Sequence, residues 1–153
     1  MVISIISLLP SVVLASLTVA RTKAVDARIK SDLNEIRRAV VSYAIDNNLP
    51  FNLNGSGCGS GGNAAGWYDG AYGSNISIQE CLVSGGYLTL DINDPERAEG
   101  TPYNDSNRYM MFPCGGSLIL MGNLKSKESP APEGISCSSY DTTYGMDYFV
   151  EVR

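Results

Sequence analysis

The sequence contains no histidine, and this absence excludes several kinds of active site at once. Ser-His-Asp and Cys-His nucleophiles need an imidazole, and so do zinc sites with mixed ligands. The chain also lacks a Walker lysine motif, a C-x-x-C pair and the C-x-x-C-H motif of c-type haem. We therefore predict that the protein is not an enzyme and that it needs no cofactor.

Charge is missing from one part of the chain and uneven in the rest. Residues 1–20 carry no charge, residues 21–38 carry six basic and three acidic side chains, and residues 39–153 carry 13 acidic and 5 basic ones. The whole chain has a net charge of -5. Nucleic-acid binding needs a basic surface. Because the largest part of the chain is acidic, we predict no specific nucleic-acid partner.

Four cysteines are present, and none of them belongs to a C-x-x-C pair. A zinc site would need all four thiolates at unsuitable spacings, so two disulfides are the better interpretation. Disulfides indicate an oxidising, extracytoplasmic location. Three pairings are possible. Sequential pairing, Cys58 with Cys81 and Cys114 with Cys137, would close two loops with the same separation of 23 positions.

Hydrophobic periodicity predicts one long helix at the N-terminus. Residues 1–20 form an apolar run of the ~20 residues that cross a bilayer, and residues 21–48 continue it as an amphipathic stem. Asn47, Asn48 and Pro50 predict the end of this helix. The apolar positions of the first segment are Val2, Ile3, Ile5, Ile6, Leu8, Leu9, Pro10, Val12, Val13, Leu14 and Leu17, and the stripe that should pack on the head consists of Val25, Ile29, Leu33, Ile36, Val40 and Tyr43.

The predicted helix is too long to be covered by the rest of the chain. About 47 residues at 1.5 Å per residue extend ~70 Å, whereas a domain of ~100 residues has a radius of gyration of ~13 Å. We therefore expect residues 1–20 to project and to be covered by a membrane or by other copies of the chain. Pro10 predicts a kink or a melted turn there. An ordinary membrane anchor and a secretory signal cleaved after Ala20 are the alternatives.

Residues 49–153 are predicted to form a small α+β head. Residues 52–66 have the composition of an irregular loop. Ser77 and Glu80 have capping-box spacing, and Gly85-Gly86 predict the end of a short helix. Strands are predicted at residues 87–92, 108–112, 117–122 and 146–152, with a hairpin at Gly115-Gly116. The stem helix would cover one face of the antiparallel sheet.

The last predicted strand alternates apolar and polar residues, which places four side chains on one face: Met146, Tyr148, Val150 and Val152. A second pattern is the acidic loop of residues 91–107, in which oxygen ligands are dense enough to hold calcium. The candidate ligands are Asp91, Asp94, Glu96 and Asp105. Their spacing is not that of an EF-hand, and a solvated acidic loop is the alternative.

The run VISIISLLPSVVLASLTVARTKAVDARIKSDLNEIRRAV resembles the N-terminal helix of type IV pilins and type II secretion pseudopilins, and especially that of the pseudopilin-G-like subunits. Asp94-Pro95 followed by Gly100-Thr101-Pro102-Tyr103 is a weaker similarity to the major pseudopilins. The prepilin-peptidase signature of the family is absent. Ile5 stands where a chain maturing at Met1 would be expected to carry a glutamate. Either residues are missing before Met1 or the subunit assembles without the ion pair of that glutamate, and the basic residues that follow the apolar run favour missing residues.

The resemblance implies a lollipop shape, in which a long helix packs on a small antiparallel sheet. It also implies that the subunit is held in the inner membrane by residues 1–20 before a pilus assembly machinery stacks identical copies. These residues would then form the core of an extracellular helical filament, residues 21–48 the stem and residues 49–153 the exposed head. The implied role is structural, in adhesion, motility or DNA uptake. The alternatives are a pseudopilin of a type II secretion system and a monomeric, membrane-anchored extracytoplasmic binding domain.

Overall fold

The fold is α+β, with one long N-terminal helix and one antiparallel sheet. The computed structural model describes residues 8–71, 73–97, 108–114, 116–126 and 144–153. Its elements, in chain order, are α1 (Leu8–Asp46), β1 (Gly66–Trp67), α2 (Ile78–Ser84), β2 (Met110–Cys114), β3 (Ser117–Gly122) and β4 (Tyr148–Val152).

Helix α1 is continuous over 39 residues, which corresponds to a length of ~58 Å. It ends where the sequence predicts, because Asn48 adopts a left-handed conformation with φ 51°. The Leu49 amide donates to the Ala44 carbonyl at 2.8 Å, and the Asn48 amide donates to the Ile45 carbonyl at 3.1 Å. This pair of bonds is a Schellman motif, which satisfies carbonyls that the end of a helix would leave unpaired.

The four strands form an antiparallel meander in the order β1-β2-β3-β4. Cys114 at the end of β2 pairs with Ser117 at the start of β3, so the hairpin predicted around Gly115-Gly116 is confirmed by the strand pairing on either side of it. On the other edge of β3, Leu120 pairs with Val150 of β4. Because consecutive strands are neighbours, the topology contains no crossover.

Apolar side chains cover both faces of this sheet. The face towards α1 forms the main core, to which β2, β3 and β4 contribute Met111, Leu118, Leu120, Val150 and Val152. The opposite face forms a second cluster, whose buried members are Trp67, Met110, Ile119, Met121 and Met146. Strand β3 therefore reads as a continuous apolar run, as expected for a strand that is buried on both faces.

Gly122 allows the close approach of α1 to the end of β3. A β-carbon at this position would lie 3.1 Å from Leu33 Cδ1 and 3.2 Å from Ile29 Cγ2. These distances are shorter than ordinary van der Waals contacts between carbon atoms. A side chain at residue 122 would thus force the Leu33 and Ile29 side chains to move by a few tenths of an ångström.

The short helix α2 has the predicted start and end. The Ser77 hydroxyl accepts a hydrogen bond of 3.0 Å from the Glu80 amide, which makes Ser77 the N-cap. Gly86, with φ 78°, follows the last turn. The Tyr87 and Leu88 amides then both donate to the Leu82 carbonyl.

Strand β1 was not predicted, and β2 covers residues 110–114 instead of the predicted 108–112. Two further details of the predicted sheet are wrong. Residues 87–92 do not form a strand, because the first two amides of this segment close the end of α2 and Leu88 enters the core. Met146 lies on the opposite face from Tyr148, Val150 and Val152. Strand β4 begins only at Tyr148, so the alternation of a strand does not extend back to Met146.

Candidate functional site

The candidate site is the N-terminal part of α1, where apolar side chains lie exposed. Leu14 is 64% exposed, Leu17 51% and Val19 55%. The first position that packs against the core is Val25, and full burial begins at Ile29. Helix α1 therefore continues for several turns beyond the sheet, and we call residues 14–24 the projecting segment.

Threonine hydroxyls in the projecting segment are satisfied within the helix itself. Thr18 Oγ1 donates to the Leu14 carbonyl at 3.0 Å, and Thr22 Oγ1 donates to the Thr18 carbonyl at 3.2 Å. A hydroxyl that is bonded to its own backbone loses less free energy when it leaves water. These two threonines are therefore compatible with apolar surroundings.

The structure places the predicted helix residues in two different environments. Of the predicted filament-core residues, Val2, Ile3, Ile5 and Ile6 lie outside the described residues, and Leu8, Leu9, Pro10, Val12 and Val13 lie on α1 ahead of the exposed Leu14 and Leu17. Pro10 lies within α1 as the structure describes it. The kink predicted around Pro10 stays a prediction, since it involves residues before Leu8. Of the stem residues, Ile29, Leu33, Ile36 and Val40 are fully buried, and Val25 and Tyr43 pack against them.

A buried carboxylate marks the boundary between the projecting segment and the stem. Asp26 is 6% exposed, and its two oxygens accept hydrogen bonds from the amides of Lys125 at 2.7 Å and Ser126 at 3.2 Å. Sequence reasoning missed this role, because it assigned the charged residues of α1 to the solvent-exposed face. The partners are about a hundred positions away, and no local pattern signals such a contact.

A second carboxylate of α1, that of Asp32, accepts a hydrogen bond from Tyr109, the residue directly before β2. Asp32 Oδ2 accepts a hydrogen bond of 2.8 Å from the Tyr109 hydroxyl and lies 3.8 Å from Arg28 Nε. Burial raises the pKa of Asp32, and the bond from Tyr109 opposes this effect. Burial and the adjacent carboxylate also raise the pKa of Tyr109. The phenol therefore stays protonated and remains a donor to α1.

The disulfide between Cys58 and Cys81 joins the glycine-rich loop to α2, close to the end of the stem. The Tyr43 hydroxyl lies 3.6 Å from Cys58 Sγ. In the chain-entropy account, a loop of 23 positions contributes about 3 kcal/mol to stability. Cys114 is also disulfide-bonded. Cys137 lies outside the described residues, so the second predicted pair stays a prediction.

The residues proposed for calcium are separated by their contacts. Asp91 is exposed, whereas Asp94 is 5% exposed and Asp94 Oδ1 accepts a bond of 2.8 Å from the Glu96 amide. Glu96 Oε2 pairs with Lys125 Nζ at 2.7 Å, and Asp105 lies outside the described residues. In the described part of the chain, no group of three or more acidic or cysteine side chains is arranged to hold a metal ion. Calcium binding that involves Asp105 stays a prediction.

Beside Asp94, a small cavity contains an ion-pair network. Asp69 Oδ2 pairs with Arg97 and with Arg108, the latter at 2.7 Å, and Arg108 is 4% exposed. Burial raises the pKa of Asp94 to about 6. The carboxylate of Asp69 thus engages both guanidinium groups. The network fastens residues 93–97 to the sheet.

No protein-family model matches the sequence, and neither a curated protein nor a solved structure matches the chain. Within residues 8–153, as far as they are described, no helix is both long enough and apolar enough to span a membrane. Function must therefore be argued from the site itself, whose distinctive property is an exposed apolar segment on a helix that the head holds firmly.

Proposed function

We propose that the protein is a structural subunit of an extracellular helical filament of the type IV pilin-like class, assembled through α1. Two features support this proposal. The chain has the layout expected of such a subunit, with an N-terminal helix packed on a small antiparallel sheet. Its N-terminal sequence also resembles that of pilins and pseudopilins over residues 2–40.

The observation that carries the proposal is the exposure of the apolar side chains in the projecting segment. Burial of apolar surface contributes about 25 cal/mol per Å², and Leu14, Leu17 and Val19 leave more than half of their surface in water. Among the described residues, the apolar packing of the head against α1 begins at Val25. Identical helices that pack side by side would bury these residues repeatedly along a filament.

The same segment defines the partners that the proposal requires. Before assembly the precursor would be held in the inner membrane through its apolar N-terminal residues, and an assembly machinery would deliver it to the filament. In the filament the partners are copies of the same chain. A pseudopilin of a type II secretion system would use the same contacts, so it is a variant of this proposal.

Two exposed positions of the same helix provide a matched test. Leu14 in the projecting segment is 64% exposed, and Ile45 at the far end of α1 is 63% exposed. Lysine within apolar surroundings costs about 2.5–3.5 kcal/mol. We expect Leu14→Lys to abolish filaments seen by electron microscopy of surface material, and Ile45→Lys to leave them intact. Membrane fractionation and a thermal melt would show that both variants are inserted and folded.

Equal filament yields from the two variants would contradict assembly through α1. Isolation of the wild-type chain as a stable monomer from surface material, in the absence of detergent, would also contradict it. A monomer that stays in the membrane fraction would instead favour the alternative of an anchored binding domain.

A further inference from the structure

Asn54 occupies an unusual place in the glycine-rich loop. It is the one asparagine of the sequence that is followed directly by glycine. Both Asn54 and Gly55 are exposed. The backbone N–H of Asn54 donates to Asn52 Oδ1 at 3.1 Å. The Asn54 side chain makes no hydrogen bond among the residues that the structure describes.

We infer that Asn54 is a site of spontaneous deamidation. The Gly55 backbone nitrogen attacks Asn54 Cγ and forms the new C–N bond of a succinimide ring. The side-chain amide leaves as ammonia and takes up the proton that the Gly55 nitrogen gives up. Water then opens the ring at either carbonyl, and the products are aspartate and isoaspartate. Water is the co-reactant, and no oxidant or reductant takes part.

The surroundings of Gly55 are open on the side of its α-carbon. Gly55 has φ 82°, and apart from this glycine and its two chain neighbours no heavy atom lies within 4 Å of the point where a β-carbon would be. No side chain therefore crowds the Asn54-Gly55 bond from that side. One contact acts in the opposite direction: the Gly55 N–H donates to Asn63 Oδ1 at 3.3 Å. This long bond restrains the nitrogen, and its removal should make the reaction faster.

Asp69-Gly70 is an internal comparison, because the same succinimide can form from an aspartate that precedes glycine. The Asp69 side chain is 10% exposed and is held by Arg97 and Arg108. The Gly70 amide donates to the Trp67 carbonyl at 3.1 Å. The carboxylate is thus occupied and the nitrogen is bonded, so we expect no isomerisation at Asp69.

Deamidation would change the chemistry of the head and would leave the projecting segment unchanged. Each event adds one negative charge to a chain whose net charge is -5, and the isoaspartate product adds a methylene group to the backbone close to Cys58. A protein that persists outside the cell would therefore become more acidic with age. This inference does not depend on the proposed filament.

Peptide mapping by mass spectrometry tests the inference on the full chain, kept in detergent at mildly alkaline pH and physiological temperature. We expect the mass shift of amide-to-acid conversion at Asn54 ahead of every other asparagine, with aspartate and isoaspartate both present. Asn54→Gln should lose the signal. Asn63→Ala should raise the rate, because it releases the Gly55 N–H, and a thermal melt would show that this variant is folded.

Three results would overturn the inference. Conversion at Asn54 no faster than at other asparagines would show that the loop gives it no special reactivity. Isomerisation of Asp69 at the same rate would show that burial and pairing have no influence. A carbohydrate on Asn54 in native material would also overturn it, because Asn54-Gly55-Ser56 matches a glycosylation sequon and a substituted amide nitrogen leaves poorly.

Discussion

The two halves of α1 have the same secondary structure and opposite surroundings. In the stem, Ile29, Leu33 and Ile36 are completely buried, whereas in the projecting segment Leu14 and Leu17 are more than half exposed. A helix with an apolar stripe packs on one surface, and a helix that is apolar all round requires an apolar environment on every side. The comparison therefore shows that one continuous helix is covered by its own head over the stem and carries exposed apolar side chains in the projecting segment, which the proposed filament would bury.

Replacement of equivalent leucines in the two halves should give the largest contrast. Leu33→Ala removes a fully buried side chain, and such changes cost about 2–5 kcal/mol. Leu17→Ala changes an exposed position, where effects on folding stay within about 0.5 kcal/mol. We expect chemical unfolding of the full chain in detergent, followed by near-ultraviolet circular dichroism, to show this difference.

Leu17→Ala, which should have little effect on stability, is expected to reduce the yield of filaments although the head is stable. A yield equal to that of the wild-type protein would argue against the proposed packing of the projecting segment on other copies of the chain. If Leu17→Ala instead destabilises the head as much as Leu33→Ala does, then the projecting segment packs on its own chain and the comparison fails.

The boundary between the halves can be tested at Asp26. Asp26→Ala removes the carboxylate that accepts from the Lys125 and Ser126 amides, and the loss of a hydrogen bond to a charged group costs about 1.5–3 kcal/mol. Glu35→Ala, at an exposed position of the same helix, is the matched control. Hydrogen exchange should show faster exchange at residues 125 and 126 in Asp26→Ala and wild-type rates in Glu35→Ala. Unchanged protection in Asp26→Ala would mean that the head holds this loop without the helix.

The two halves of α1 should also differ in their response to pH. Residues 8–20 carry no titratable side chain, whereas Asp94 lies in the head beside the stem. The pKa of Asp94 is raised from 3.8 to about 6. The folded protein therefore binds this proton more tightly than the unfolded chain does, and the stability gained from it is lost as the pH rises from 3.8 towards 6. We expect Asp94→Asn to remove this slope and to add stability at neutral pH, up to about 3 kcal/mol for a shift of this size.

The difference between wild-type and Asp94→Asn unfolding free energies, measured across this pH range, isolates the contribution of one carboxyl group. Asp91→Asn is the control, since Asp91 belongs to the same loop and is exposed. A slope that persists in Asp94→Asn, or that disappears in Asp91→Asn, would contradict the assignment.

Local signals in the sequence predicted the helices well. The apolar stripe from Val25 to Tyr43 and the end of α1 near Asn48 follow from the spacing of nearby residues, and so does the cap at Ser77. In the sheet, residues 117–122 were predicted with the observed bounds. These features depend on interactions between residues that are close in sequence, which is why a pattern can reveal them.

The features that the sequence did not predict depend on distant partners. Asp26 bonds to residues 125 and 126, and Asp69 pairs with Arg108. Residues 87–92 have the composition of a strand, yet the end of α2 takes their first two amides. Tertiary contacts override local propensity in such cases. The exposed Leu14 and Leu17 belong to the predicted apolar run, whereas the hydrogen bonds that Asp26 and Asp32 of α1 make to the head were not predicted.

Gly122 lies beside Ile29 and Leu33, at the point where full burial of α1 begins. Because residue 122 has no side chain, these two side chains pack directly against the end of β3. A methyl group at residue 122 would press on both of them, and they would have to move by a few tenths of an ångström. The packing of the first buried turns of the stem therefore depends on a residue that contributes no side chain of its own.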